Sequence, residues 1–173
     1  LISDSGESRR KLHDTMISQT DSEYLFNLIQ YQKTVQQRNA LLKSFAKNRY
    51  FDLDNLEIYN EPLIKCSNKK LEKRKELTDS ILPLIQSYYE TISNGNEKVT
   101  VNYQSDLQLN TFENLLRENT EKDIMLTYTS KGIHKDDLLF EMSGNSIKKM
   151  GSQGEQKSFL IALKLSQMNR IKE

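Results

Sequence analysis

The sequence has 173 residues, a formal net charge of +1 and a single cysteine, Cys66. This length accommodates one or two domains with an apolar core, and a charge so close to zero means that any contact with nucleic acid must come from local basic patches. One cysteine excludes an internal disulfide and fits a reducing compartment such as the cytoplasm. No apolar run approaches the roughly 18 residues of a membrane-spanning helix, so we expect neither export nor membrane spanning.

Long amphipathic helices are predicted for the first half of the chain. The first spans residues 21–45, where apolar residues recur at helical spacing, Arg38 interrupts the apolar stripe and Asp21 is placed to cap the N-terminus. A turn is predicted at residues 48–54. The apolar positions of this helix are Leu28, Tyr31, Val35, Leu42 and Phe45.

A second helical region is predicted over residues 53–92. Pro62 and Pro83 should break or kink it, because proline removes a backbone donor and clashes with the preceding turn. The sequence S-N-G-N at residues 93–96 is a stop signal. Two such helices can pair as an antiparallel hairpin, so a helical arm is predicted. The later apolar stripe is Leu77, Ile81, Leu84, Ile85, Tyr88 and Ile92.

Shorter elements follow the predicted arm, and their type is indicated by the period of the apolar residues and by turn signals. In chain order they are a strand at 98–103, one or two helices over 111–129, a strand at 138–142, a turn at 143–146, the hairpin partner of that strand at 147–150, and a final helix over 158–168.

A polar turn rich in small residues, G-S-Q-G-E-Q-K at residues 151–157, leads into the final helix. Such a turn presents unpaired backbone N–H groups and the positive end of a helix dipole, which suit a phosphate. The Ser152 hydroxyl is a candidate ligand for a phosphate oxygen, and Gly154 allows close approach to the backbone. The alternative is an ordinary capped helix, to which Ser152 contributes about 1 kcal/mol.

A second polar block, residues 132–137, places His134 beside two carboxylates. One interpretation is a metal or acid–base site, but no second His or Cys lies at metal-ligand spacing. We favour a structural role, in which His134 and Asp136 tie the turn to neighbouring elements. Arg9 and Arg10 lie together in the chain, just before the predicted arm. They either anchor the base of the arm, which we favour, or contact DNA phosphate.

Basic residues concentrate in two clusters on the predicted arm, at residues 38–49 and 65–75. Phosphate contact needs only such point charges and would make DNA affinity salt-dependent. The alternative is a solvated helix face, since Glu72 and Glu76 dilute the second cluster. The candidate DNA contacts are Arg38, Lys43, Lys69, Lys70, Lys73 and Arg74, and the other cluster members are Lys47, Arg49, Lys65 and Lys75.

Two nucleotide-binding motifs are missing from the sequence. It has no G-x(4)-G-K-[ST] phosphate loop and no apolar strand that ends in paired acids. We therefore expect this chain by itself to hold no cofactor tightly and to hydrolyse no ATP, and we assign no catalytic residue and no metal ligand. Because it begins with Leu1 and ends in a helical pattern at Glu173, we expect an internal piece of a longer protein.

Four motifs, in the same order and at compatible spacing, resemble those of the RecF family of bacterial recombination and repair proteins. The family pattern differs here at Thr127, where glycine is usual, at Ile133, where proline is usual, and at Lys135 and Lys157, where arginine is common. The motifs are E-S-R-R-K-L-H-D at 7–14, Tyr31 with Q-R-N-A-L-L-K at 37–43, Lys122-Asp123 with Thr129 and G-I-H-K-D-D-L at 132–138, and S-Q-G-E-Q-K at 152–157 with A-L-K-L at 162–165.

The resemblance implies an α+β, mostly helical fold. A long antiparallel helical arm, residues 16–130, would be attached to a partial ATP-binding-cassette ATPase head with a short β-hairpin and a signature helix, formed by residues 1–15 and 131–173. In the whole protein, ATP and Mg²⁺ held by one subunit would be sensed in trans by the other subunit's signature residues, here Ser152, Gln153, Gly154, Glu155 and Gln156.

The function that the resemblance implies is that of a cytoplasmic recombination mediator acting at single-strand gaps. Such a protein dimerises on ATP, is a weak DNA-dependent ATPase and binds double-stranded or gapped DNA. It acts with RecR, and indirectly with RecO, to load RecA in repair, replication restart and the SOS response. The alternative, from a different class, is a helical scaffold for protein–protein contact with no nucleotide role.

Overall fold

The structure, a computed structural model, describes residues 1–95 and 97–171, and it confirms the predicted mostly helical α+β class. Asn96, part of the predicted stop, and the predicted end at Glu173 lie outside the described residues. In chain order the elements are α1 (Gly6–Ser18), α2 (Ser22–Asn48), α3 (Leu53–Glu57), α4 (Asn60–Ser93), β1 (Val99–Gln104), a short 3-10 helix (Asp106–Gln108), α5 (Phe112–Glu118), α6 (Thr120–Leu126), β2 (Asp137–Met142), β3 (Asn145–Ser146), α7 (Ile147–Met150) and α8 (Gln153–Ile171).

The chain divides into two compact units. Unit 1 comprises Leu1–Thr20, Lys73–Gln104 and Asp137–Glu173, and unit 2 comprises Asp21–Glu72 and Ser105–Asp136. The helix α4 begins in unit 2 and ends in unit 1. The segment predicted as the arm, residues 16–130, is thus shared between the two units, and its division from an ATPase head stays a prediction.

Unit 2 is built around α2, whose start is explained by its capping residue. The Asp21 carboxylate accepts a hydrogen bond from the Tyr24 backbone N–H at 2.8 Å, as the sequence predicts. The inward stripe of α2 packs into two apolar clusters, and each large apolar side chain that is fully buried there stabilises the unit by about 1.5–3 kcal/mol. The first cluster is Tyr31, Val35, Leu63, Cys66, Phe112, Leu115, Leu116 and Ile133; the second is Leu42, Phe45 and Leu56.

Unit 1 contains a three-stranded antiparallel sheet in the order β1-β2-β3. Val101 of β1 lies opposite Phe140 of β2, and both side chains are buried. Phe140 also packs against Phe159 of α8, with ring centroids 5.0 Å apart. The part of α4 in this unit buries a stripe with a spacing of four residues, which includes Tyr89 where the sequence predicted Tyr88: Leu77, Ile81, Ile85 and Tyr89.

The predicted hairpin partner at residues 147–150 was wrong, because these residues form the helix α7. The hairpin partner that follows β2 is instead β3, which pairs with β2 through two residues. Between the two strands, Ser143 and Gly144 have φ values of 49° and 77°, and the tight type I′ hairpin turn requires positive φ at both positions. The chain therefore returns two residues earlier than predicted, and Ile147 is buried as part of a helix.

Two helix boundaries also differ from the prediction. The helix α4 continues through Pro83 without a break, and Pro83 is exposed, so water can solvate the carbonyl group that loses its partner. The helix α8 begins at Gln153, five residues before the predicted start at Ser158. Residues 152–156, which we call the signature turn, therefore form the start of α8. Among the described residues, no helix combines the length and apolar character needed to cross a membrane.

Candidate functional site

The signature turn lies at the N-terminus of α8, where Ser152 and Glu155 form a reciprocal cap. The Ser152 backbone N–H donates to Glu155 Oε2 at 2.6 Å, and the Glu155 backbone N–H donates to Ser152 Oγ at 3.3 Å. This S-x-x-E capping box satisfies two of the donors near a helix start. The Gln156 side chain adds a bond from Nε2 to the carbonyl of Gly151 at 2.9 Å. The helix cap considered from the sequence is therefore present.

The outer side of this turn faces solvent. Ser152, Gln153 and Gly154 are exposed, whereas Glu155 and Gln156 are half-buried and bonded inward. A Cβ atom placed on Gly154 would meet only Ser152 Oγ, at 3.9 Å. Glycine in a helix costs about 1 kcal/mol relative to alanine, and no packing within the described residues requires it here. The turn thus leaves open space where free N–H groups and the helix dipole stabilise an anion.

Arg9 is held by four hydrogen bonds within unit 1. Its Nε and Nη2 atoms donate to the two carboxylate oxygens of Asp137, both at 2.7 Å, and Nη1 donates to the carbonyls of Leu1 and Asp4 at 3.1 and 2.9 Å. Burial alone would raise the pKa of Asp137, but the bond from Arg9, a backbone N–H and the nearby charge of Arg10 hold that pKa below its usual 3.8. This geometry supports an anchoring role.

Arg74, a candidate DNA contact, is buried in unit 1 beside His13. Its guanidinium donates to Asp14 Oδ1 from Nη2 at 2.8 Å and from Nε at 3.1 Å. The Thr78 hydroxyl donates to the Arg74 carbonyl and lies 3.3 Å from His13 Nε2. Burial, followed by the positive charge of Arg74, lowers the pKa of His13 to about 3, so the ring is neutral near pH 7. Arg74 is therefore part of an internal polar cluster.

The motif residues of unit 2 meet in one buried network. Arg38 Nη1 donates to Asp123 Oδ2 at 2.7 Å and to Thr129 Oγ1 at 2.8 Å, and the Arg38 and Asp123 side chains are each 1% exposed. Asn39 Oδ1 accepts from the backbone N–H and the hydroxyl of Thr129, at 2.7 and 2.8 Å. The second Asp123 oxygen accepts from the Ser130 N–H at 2.8 Å. Buried charges need such partners, so Arg38 is part of the framework.

His134 connects this network to the middle of α2. Its Nε2 lies 2.9 Å from the Thr129 carbonyl, and its Nδ1 lies 2.7 Å from the Tyr31 hydroxyl. A neutral ring with its proton on Nε2 satisfies both contacts, since it donates to the carbonyl and accepts from the hydroxyl. Asp136, in the same block, is also buried. These placements support the structural interpretation of residues 132–137.

Gly132 occupies the most restricted position of that block. Its φ is 126°, and a Cβ atom there would stand 2.6 Å from the Tyr31 hydroxyl oxygen and 2.7 Å from Phe112 Cζ. Both distances are shorter than van der Waals contact allows. Glycine is required at this position by backbone conformation and by space together.

Lys70, another candidate DNA contact, is buried between two aromatic rings of unit 2. Its Nζ lies 5.1 Å from the ring centroid of Tyr31 and 5.7 Å from that of Tyr24, within cation–π distance. Only 2% of the residue is exposed. A phosphate at the surface cannot reach this ammonium group.

The other candidate DNA contacts are exposed. Lys69 pairs with Glu23, and Lys73 Nζ lies 3.7 Å from Glu76, whereas Lys43 is in no ion pair within the part of the chain that the structure describes. Only exposed cations can contact a phosphate at the protein surface. Burial therefore removes three members of the candidate set: Arg38, Lys70 and Arg74.

The residues of the signature turn fit one side of a nucleotide site. No group of three or more His, Cys, Asp or Glu side chains in the described ranges is arranged to hold a metal ion. Mg²⁺ takes oxygen ligands from carboxylates and phosphates. The turn instead offers a hydroxyl and backbone donors, which fit the phosphate oxygens of a nucleotide.

Comparison with known proteins finds relatives that share one name. No protein-family model matches the sequence. A curated protein from Flavobacterium johnsoniae, named DNA replication and repair protein RecF, is 51% identical over 173 residues, and one of the same name from Cytophaga hutchinsonii is 39% identical over 172 residues. Along its whole length the chain is similar to these RecF proteins. It spans about half the length of these relatives, 48% and 46% respectively.

Solved RecF structures have the same fold. Two of them, described as the recombination mediator protein RecF-ATPrS and RecF-ATP in the RecFOR pathway, match with a TM-score of 0.90 each and with 27% and 28% sequence identity. Each match covers 99% of this chain and 48% of the other. The resemblance inferred from the four motifs is therefore confirmed, for a chain that corresponds to about half of RecF.

Sequence reasoning missed the partners of Arg38. Arg38 lies between Val35 and Leu42 on an otherwise apolar helix face, and a charge in that position is buried when the face packs. That pattern predicts a carboxylate partner, but it does not indicate which one. Asp123 lies 85 positions away and is brought close only by the tertiary fold.

Proposed function

We propose that this chain acts as RecF in the RecFOR pathway of recombination, and that its signature turn senses a nucleotide held by a second subunit. The names of the relatives support a role in DNA replication and repair, and a RecF solved with ATP supports ATP as the nucleotide. The observation that carries the proposal is the exposed S-Q-G-E-Q turn at the N-terminus of α8.

Ser152 has two roles in this proposal. Its oxygen accepts a long hydrogen bond of 3.3 Å from the Glu155 N–H, which leaves its hydroxyl hydrogen able to donate to a phosphate oxygen. The backbone N–H groups of Gln153 and Gly154 lie in the first turn, where a helix supplies no acceptors. Hydrogen bonds to an ionised phosphate are about twice as strong as neutral ones, so the phosphate is recognised in addition to the cap.

Contact in trans means that two copies of the protein form a homodimer around the nucleotide. The sequence contains neither a phosphate loop nor a strand ending in paired acids. We assign tight binding of ATP and Mg²⁺, and slow hydrolysis, to the rest of the protein. When bound, the nucleotide supplies the γ-phosphate charge that attracts the partner's signature turn. Loss of that charge on hydrolysis would release the turn and open the dimer.

The proposed ligand of the closed dimer is double-stranded or gapped DNA. The exposed cations Lys43, Lys69 and Lys73 are the phosphate contacts we retain, and such contacts respond to the DNA backbone rather than to base sequence. In this scheme the protein acts in the cytoplasm with RecR, and indirectly with RecO, to load RecA at gaps. The division into a head (residues 1–15 and 131–173) and an arm (16–130) belongs to the same proposal.

The test is light scattering of the complete protein with and without ATP. Ser152→Arg should stay monomeric while still binding ATP, because the larger side chain blocks access of the phosphate to the turn. Met168→Arg is the matched control, since it adds the same side chain at an exposed position near the other end of α8. ATP-induced dimerisation of Ser152→Arg to the wild-type extent would refute trans sensing.

A further inference from the structure

Exposed aromatic and basic side chains occur together where α2 leads into α3, in unit 2. Tyr50 is 67% exposed and Phe51 is 52% exposed. Lys43, Lys47 and Arg49, at the end of α2 and its C-cap, are exposed as well. We call these five residues the aromatic tip. Proteins bury most large aromatic rings, so two adjacent exposed rings beside three cations indicate a ligand surface.

The core of unit 2 holds one ring of the aromatic tip in place. Phe51 packs edge-on against Phe45, with ring centroids 6.0 Å apart and an interplanar angle of 80°. Phe45 is itself only 4% exposed, in the cluster with Leu42 and Leu56. Arg49 ends α2 in the left-handed conformation, with φ 52°. The rings of Tyr50 and Phe51 therefore follow the end of the helix. The Phe51 ring is therefore held in place before any ligand binds, which lowers the entropic cost of binding.

The charges of the aromatic tip favour an anionic ligand. Lys43, Lys47 and Arg49 take part in no ion pair within the described residues, and the two lysines lie one turn apart on the same face of α2. The nearest acid, Asp52, is occupied as a cap, because its two carboxylate oxygens accept from the N–H and the side-chain amide of Asn55 at 3.0 and 2.6 Å. Asp54 and Glu57 follow on α3 and are exposed, so they weaken the attraction without cancelling it locally.

We infer that the aromatic tip binds unpaired bases of single-stranded DNA. Tyr50 and Phe51 stack on the bases, while Lys43, Lys47 and Arg49 contact the flanking phosphates. Stacking requires a free base face, which a duplex does not offer along its length, so the tip distinguishes single strands from duplex. The inference rests on the proposed function for its DNA ligand, and it adds which form of DNA this surface takes.

A second exposed apolar patch in unit 2 shows why the cations decide the class of ligand. Leu25, Phe26 and Ile29 on α2 are 41%, 61% and 52% exposed, but no lysine or arginine occurs in residues 22–32. The cation that the fold brings to this patch, Lys69, is already paired with Glu23, whereas the three cations of the tip are in no ion pair within the described residues. The patch therefore provides an internal control for the tip.

The experiment places a fluorescent reporter on the tip. The chain has no tryptophan, so Tyr50→Trp adds one to this region while keeping an aromatic ring, and wild-type protein supplies the background. The complete protein is titrated with a dT oligonucleotide of about 20 residues, and separately with a duplex of equal length. We expect the oligonucleotide to quench the fluorescence of the introduced tryptophan, with at least tenfold weaker binding of the duplex at this reporter.

Matched variants separate stacking from charge. Phe26→Trp should show no quenching with either DNA. In the Tyr50→Trp background, replacing both Lys47 and Arg49 by glutamine should weaken oligonucleotide binding about tenfold. The salt dependence of log K, about −0.7 per phosphate contact for single strands, should fall from about −2 to nearly −0.7. Tyr50→Ala should weaken binding of the oligonucleotide about tenfold, measured with a labelled strand because this variant has no reporter.

Three results would overturn the inference: no quenching of the tip reporter by the oligonucleotide, equal quenching at Phe26→Trp, or equal binding of duplex at the tip. Quenching by a partner protein alone would overturn it too, because the tip would then be a protein-docking surface. ATP-dependent dimerisation of the same Tyr50 variants is measured in parallel. If the oligonucleotide does not bind at the tip but ATP still causes dimerisation, only this inference is refuted. If the oligonucleotide binds at the tip but ATP causes no dimerisation, only nucleotide sensing is refuted.

Discussion

Two glycines, one in each unit, occupy polar turns of opposite character. Around Gly132 in unit 2 the protein fills its own space, since a Cβ atom would stand 2.6 Å from the Tyr31 hydroxyl oxygen. Around Gly154 in unit 1 the space is open, and a Cβ atom would meet nothing closer than 3.9 Å. The fold requires the glycine at position 132, whereas the open space at Gly154 is what the proposed phosphate contact needs. Both turns are polar and look alike in sequence; burial distinguishes them.

The same distinction applies to charged residues. Arg38 resembles a nucleic-acid contact in sequence, yet its guanidinium is bonded to Asp123 inside unit 2. The exposed residues of the signature turn, by contrast, use only part of their hydrogen-bonding capacity within the chain. Variants in the two turns, and in the residues that support them, therefore test one question. They show whether burial distinguishes framework residues from residues that contact a ligand.

The largest effect is expected from Arg38→Leu, which leaves Asp123 buried without its cation. We expect unit 2 to lose about 3–5 kcal/mol, measured as faster hydrogen exchange of the α2 amides. Arg9→Leu in unit 1 is the control; its pair with Asp137 is partly exposed, so about 1 kcal/mol is expected. The double variant Arg38→Leu/Asp123→Leu should recover part of the loss, because no unpaired charge remains but the Ser130 N–H loses its acceptor. If both arginine variants lost the same small amount of stability, burial would not distinguish the role of Arg38 from that of Arg9.

The second effect, Gly132→Ala, should cost unit 2 about 3 kcal/mol or more, from the clash and the positive φ combined. Gly144→Ala in unit 1 separates these causes, because Gly144 has φ 77° but no atom within 4 Å of an added Cβ. Strain alone predicts about 1 kcal/mol there. The measurement is again hydrogen exchange of the affected unit. Similar losses for the two alanine variants would show that the space around Gly132 does not restrict the side chain.

The third prediction concerns the framework of unit 1 and uses pH. The pKa of His13 is about 3 in the folded protein and about 6.5 in the unfolded chain, so the unfolded chain binds more protons between these values. Stability from this residue is therefore fully present above pH 6.5 and is lost as pH falls. Between pH 7.5 and 5.5 the loss should be about 1.4 kcal/mol. His13→Asn should be less stable at pH 7.5 but should lack this part of the pH slope; an unchanged slope would mean that His13 is not the titrating group.

The smallest effect has the opposite sign. Gly154→Ala should stabilise α8 by about 0.5–1 kcal/mol, because alanine favours the helix and no atom crowds its Cβ. The same variant should weaken ATP-dependent dimerisation, since the methyl group occupies the space left for the phosphate. Thermal melting and light scattering on one preparation give both numbers. A gain in stability with unchanged dimerisation would remove Gly154 from the proposed site.

Local sequence signals predicted the elements whose causes are local. Asp21 caps α2 as expected, and most of the buried apolar positions of α2 and of the second half of α4 were predicted, except Tyr24 and Tyr89. The predicted positions Leu28, Leu84, Tyr88 and Ile92 are only half-buried. The end of the hairpin was not predicted, because it depends on positive φ at Ser143, which the residue type does not indicate. The glycine expected at Thr127 from the family pattern has a physical reason, since Thr127 ends α6 in the left-handed conformation at φ 61°.

The division between framework and ligand-facing residues was less predictable from sequence. The roles of Arg38, Lys70 and Arg74 depend on partners distant in sequence, and a basic cluster on a helix has the same pattern whether its members face a core or solvent. The signature turn was recognised because its motif is local and contiguous. A helix cap at Ser152 was weighed as the alternative, but the reciprocal bond from the Ser152 N–H to Glu155 was not predicted.

The most direct test of the account compares Ser152→Asp with Ser152→Ala in the complete protein, by light scattering with ATP alongside thermal melting. Aspartate caps a helix as well as serine does, whereas alanine loses about 1 kcal/mol of cap. Aspartate also places a negative charge where the phosphate should bind. The account predicts that Ser152→Asp melts like wild type but fails to dimerise, while Ser152→Ala melts lower and dimerises better than Ser152→Asp. Dimerisation that instead follows the order of helix stability would contradict it, since Ser152 would then be a cap alone.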